Sequence, residues 1–71
     1  MLYVLIRDCL THWYLGDQDR WLQNRSSAKV FKTGAAAIEY CLEHQVDDYL
    51  LVLKFDDAAN EVEIPISDRR D

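Results

Sequence analysis

Two four-residue motifs in this chain match each other: Cys9-Leu10-Thr11-His12 and Cys41-Leu42-Glu43-His44, both of the form Cys-x-x-His. Two thiolates with two imidazoles make a legitimate tetrahedral zinc set, and on a helix Cys41 and His44 lie one turn apart on neighbouring positions. A structural zinc would also add folding free energy to a short chain. Against it, Cys-x-x-His zinc patterns usually place two cysteines on one knuckle. Cys41 also falls on an apolar helical stripe, where a thiol serves as a small hydrophobe. The expectation is therefore no metal and no cofactor, with Cys9, His12, Cys41 and His44 as the alternative ligand set.

The same residue types could serve nucleophilic catalysis, which needs a thiol, a base in contact with it and an orienting group. The sequence holds no Gly-rich phosphate loop, nucleophile elbow or paired-carboxylate signature, so a non-enzymatic protein is expected. Trp13, Tyr14, Arg20, Trp21 and Arg25 interleave aromatic and basic side chains, and such aromatics can stack on bases. The sequence pI of 4.8 lacks the electrostatic footprint of a nucleic-acid binder, and that class is set aside.

The acids Asp47, Asp48, Asp56, Asp57, Glu61 and Glu63 do not follow the spacing of a calcium loop. Charge is nonetheless unevenly placed. Residues 1 to 32 sum to +2 and residues 33 to 71 to −7, within a total of −5. The acidic half could bind a basic protein surface, and an acidic inhibitor or regulator is one functional reading.

Positioning these residues falls to a single domain over 1–71, with 67–71 as a frayed tail. Leu2 to Asp8 reads as a strand, Trp13 to Leu15 as its hairpin partner, and Arg20 to Gln23 as an extension of the meander. Asn24 to Ser27 has loop composition, and Ala28 to Lys32 fits either a short strand or an approach to the helix. Thr33 is the candidate N-cap of a helix running to about His44, with Ile38, Cys41 and Leu42 as its apolar stripe. Tyr49 to Phe55 is a further strand, and Glu61 to Ile66 alternates as an edge strand bearing Pro65. The fold class is α+β: a small antiparallel sheet of four to five strands with one helix packed on one face, in the order ββ(β)αββ. The zinc alternative depends on this order. With Ala28 to Lys32 as a strand, the two Cys-x-x-His motifs would fall at opposite ends of the sheet.

The strands Leu2–Ile6 and Tyr49–Phe55 are apolar at both parities, so both of their faces ask for burial. With one helix available, the face carrying Tyr3, Leu5, Leu50 and Val52 calls for a cover. Trp13 and Trp21 are candidates to fold over it or to join a contact there. The functional expectation is a protein-interaction module, as a homodimer through this apolar face or with another protein. No run approaches the roughly 20 apolar residues of a membrane span. Met1 leads directly into a strand-like run with no signal peptide, so reduced thiols and a cytoplasmic location are expected.

Overall fold

The computed structural model describes residues 2–55 and 61–66. Five antiparallel strands, β1 (Leu2–Asp8), β2 (Tyr14–Leu15), β3 (Trp21–Leu22), β4 (Tyr49–Phe55) and β5 (Glu61–Ile66), form one sheet in the order β3-β2-β1-β4-β5. A single helix, α1 (Gly34–Glu43), packs on one side of it, giving the expected α+β architecture. The position of β1 and β4 in this order explains their sequences. They are interior strands of a sheet covered on both faces, and such strands have no solvent side to make polar.

The β1–β4 ladder runs in unbroken register from Leu2↔Phe55 to Asp8↔Tyr49, which puts Val4 and Ile6 beside Leu53 and Leu51 on the helix side. With Leu15, Phe31, Ala37, Cys41 and Tyr49 they form the main core, and Trp21 packs against it. Thr33 caps α1 as expected, its hydroxyl accepting from the Ala36 amide at 3.1 Å. The helix closes with the Val46 amide donating to the Cys41 carbonyl and the Gln45 amide to that of Leu42, the paired bonds of a Schellman turn. Gln45 takes the left-handed φ of 57° that this turn requires, although it carries a side chain.

The opposite face holds a second, smaller core of Leu5, Tyr14 and Val52, against which Ala28 packs. This corrects one expectation from sequence. Leu5 and Val52, placed on a face awaiting a partner, are only 5% and 1% exposed. The cover comes from the segment between β3 and α1, which turns through a 3-10 helix at Arg25–Ser27 and is pinned at two points. Lys29 donates to the Leu15 carbonyl at 2.8 Å, and Phe31 exchanges backbone hydrogen bonds with Val4 at 2.8 and 3.0 Å. The second anchor has a plain cause. β2 pairs with β1 at Arg7↔Tyr14 alone, leaving backbone groups of the first half of β1 open for Phe31 to take. Ala28 to Lys32 is thus no strand but carries two isolated bridges, and the third strand before the helix is Trp21–Leu22.

Candidate protein-contact surface

The first Cys-x-x-His motif forms the turn after β1. One carboxylate oxygen of Asp8 accepts from the Leu10 amide at 3.0 Å, the Thr11 amide at 2.7 Å and the Thr11 hydroxyl at 3.0 Å. These donors, the Thr11 amide foremost, hold the Asp8 carboxyl below its ordinary range. The Cys9 amide donates to the carbonyl of Asp48, so this turn meets the segment leaving α1 and both motifs share one end of the sheet.

Proximity of the motifs does not assemble a zinc site. Cys41 is fully buried in the main core, where burial pushes its thiol up to about 11 against a weaker opposing hydrogen bond with Tyr49. His44 turns elsewhere, its Nδ1 lying 3.1 Å from Asp19 and its ring stacked on Tyr40 at 4.1 Å between centroids. Among the described residues, no group of three or more His, Cys, Asp or Glu side chains is placed to hold a metal. The set Cys9, His12, Cys41 and His44 is therefore corrected. An i, i+3 pair shares a helix face only broadly, and here the core takes the thiol while the helix end takes the imidazole. The same placement sets thiol reactivity. Because the thiolate is the nucleophile, Ellman's reagent should modify partly exposed Cys9 readily and leave Cys41 unreacted until the protein is unfolded. Two fast-reacting thiols in the native protein would contradict the placement of Cys41.

Around His44 lies a cleft of about 330 Å³ lined by Asp8, Leu15, Asp19, Trp21, His44, Gln45, Val46 and Asp47. Its polar groups are largely engaged. Tyr40 donates its hydroxyl to Asp19, which pushes the phenol up to about 12, and Asp19 also faces His44. Lys29 lies 5.3 Å from the Tyr40 ring centre and 3.9 Å from Asp17. Among the described residues, no serine, threonine or cysteine lines this cleft beside His44. The arrangement ties the β2–β3 turn to the helix end.

The acidic residues are dispersed by the fold. Glu63 pairs with Arg7 at 3.1 Å, and Glu61 pairs with Arg25, which reaches across the second face from the covering segment. Asp47 lines the cleft beside His44, Asp48 packs its backbone on the β1 turn, and Asp56 and Asp57 lie outside the described residues. Of the residues expected at a contact, Leu5 and Val52 are closed off, Tyr3 and Leu50 are half-buried, Trp21 belongs to the helix side, and Trp13 is exposed.

An apolar surface of a different make-up stands open instead. The β4–β5 register sets Val62 beside Leu53 and Ile64 beside Leu51, all on the helix side. Yet Val62 is 49% and Ile64 40% exposed, Phe55 at the end of β4 is 47% exposed, and Leu42 on α1 is 55% exposed. One helix about 10 Å across covers about two strands spaced near 4.8 Å, and α1 lies chiefly over β1 and β4, leaving Val62 and Ile64 of β5 largely outside its cover. The alternation of Glu61 to Ile66 does put Val62, Ile64 and Ile66 on the helix side, where Ile66 packs against the main core while Val62 and Ile64 stay largely uncovered.

No known family, curated protein or solved structure matches the chain. Among the described residues, no helix is long and apolar enough to cross a membrane. The reading of function therefore rests on the geometry just described.

Proposed function

We propose that this protein is a non-enzymatic protein-interaction module whose contact surface is the helix-side strip of Leu42, Phe55, Val62 and Ile64. The observation that supports it is this exposure: Val62 and Ile64 on the strand α1 leaves bare, with Phe55 at the end of β4 and Leu42 on α1, each 40% exposed or more. Grouped apolar exposure of this kind marks interaction sites on small proteins. Covering the exposed half of each side chain would contribute about 1 kcal/mol apiece, enough to bias an encounter toward a bound state. The thiols of Cys9 and Cys41 are both free, which suits a reducing cytoplasm. The homodimer expected through Tyr3, Leu5, Leu50 and Val52 loses Val52 and most of Leu5 to the second core, while that face keeps a groove lined by Tyr3, Leu5, Ala28 and Val30; the strip is preferred because its side chains are the more exposed.

The test compares proteins retained by the wild type with those retained by a Val62→Lys/Ile64→Lys variant. Both positions are solvent-exposed, so the variant should keep the wild-type circular dichroism spectrum while losing the partner. Recovery of the same proteins in the same amounts by both would remove the strip from the reading.

A further inference from the structure

We infer that the groove left on the second face binds a small amphipathic carboxylate, with its hydrocarbon part on the apolar lining and its anionic head at Lys54. The site lies on the side of the sheet away from the strip, so it goes beyond the interaction reading and stands apart from it. The covering segment packs onto Leu5 through Ala28, and beside this contact runs an open groove of about 550 Å³, within the size range of small-molecule sites. Tyr3, Leu5, Ala28 and Val30 form its apolar lining, and Val30 stands 55% exposed there. A hydrocarbon chain laid in the groove would take this surface out of water.

The charge around the groove selects an anion. Lys54 and Arg25 line it, and among the described residues no aspartate or glutamate does. The register sets Lys54 between Tyr3 on β1 and Glu61 on β5, but Arg25 already holds Glu61, so two cations share one carboxylate. Lys54 has no ion pair of its own among the described residues. Farther along the same face Arg7 and Glu63 pair and cancel, which leaves this face one surplus positive charge in a chain of net charge −5. Asn24 adds a neutral donor. Its side-chain oxygen accepts from both the amide and the hydroxyl of Ser26, and its amide nitrogen is left to donate. The cleft at His44 has the opposite character, with Asp8, Asp19 and Asp47 in its walls, and would repel the same ligand. A second copy of this chain suits the groove less well, because two such faces brought together would oppose their surplus cations.

The experiment follows the isotopically labelled full chain by NMR as octanoate, hexanoate or octyltrimethylammonium is added, each below its micelle concentration. Octanoate should move the amide resonances of Leu5, Ala28 and Val30 to saturation and bind about tenfold tighter than the ammonium, which Lys54 repels. Hexanoate should bind about fivefold more weakly than octanoate, since an open groove covers the two lost methylenes only in part. Lys54→Gln should weaken octanoate binding about threefold and remove most of its salt dependence, whereas Lys54→Arg keeps the charge and should retain both. Equal affinity for octanoate and the ammonium, or an octanoate affinity unchanged by Lys54→Gln, would overturn the inference. So would shifts gathered at Val62 and Ile64 in place of the groove, or no saturable shift with octanoate. Groove resonances that move with protein concentration in the free chain would also overturn it, since a second copy would then be the occupant. The comparison of retained proteins is independent of all these results and tests the strip separately.

Discussion

Val52→Asp is expected to leave the domain unable to fold, with no cooperative thermal transition and a flat near-ultraviolet dichroism spectrum. Val52 is 1% exposed, sits beside Leu5 in the β1–β4 ladder and belongs to the small core with Tyr14 and Ala28. The residue opposite it on β5 is Glu63, which already holds Arg7. Like charges directly across a ladder repel, and an unpaired buried charge costs several kcal/mol. A chain of this length commands only about 4–10 kcal/mol in all. Val52→Ala keeps the position apolar and should cost about 1.5–3 kcal/mol, read from the denaturation midpoint. An aspartate variant as stable as the wild type would mean that the Asn24–Phe31 segment does not close this face.

That segment marks the boundary of what could be read from sequence. The strands Leu2–Asp8, Tyr49–Phe55 and Glu61–Ile66 announce themselves because seven or six residues suffice to show a period of two or a run of β-formers. Thr33 before an alanine-rich stretch does the same for α1. β2 and β3, at two residues each, are too short to display any period. The cover over Leu5 and Val52 is made of Asn24, Arg25, Ser26, Ser27 and Ala28, whose composition spells loop; their role comes from the bridge of Ala28 to Gly16 and the ion pair of Arg25 with Glu61. Gln18, Asp19, Gln45 and Asp48 all take positive φ without the glycine that ordinarily flags such turns. Two-sided apolar strands were legible, but whether chain or partner covers their second face depends on contacts far apart in sequence. The open strip needed a further quantity, the width of one helix against that of five strands.

Ile6→Ala should be the most costly conservative truncation in the molecule and should lower both cores together. Ile6 is fully buried opposite Leu51, and removing its side-chain carbons leaves a cavity worth about 3–4 kcal/mol. In a domain of this size such a loss lowers the melting temperature by about 12–32 °C. The two cores lie back to back on the same strands: Leu5 and Ile6 are neighbours on β1, and Leu51 and Val52 are neighbours on β4, each pair divided between the two faces. Neither core can lose its strands while the other keeps them. The Trp21 indole resonance, reporting the helix side, and the Tyr14 ring resonances, reporting the second face, should therefore vanish over one shared transition in wild type and variant alike. A Tyr14 midpoint that stays at the wild-type temperature while Trp21 melts early would show that the covering segment, with Tyr14 and Val52, forms a unit independent of the helix. The one sheet would then be stabilised from two separable sides.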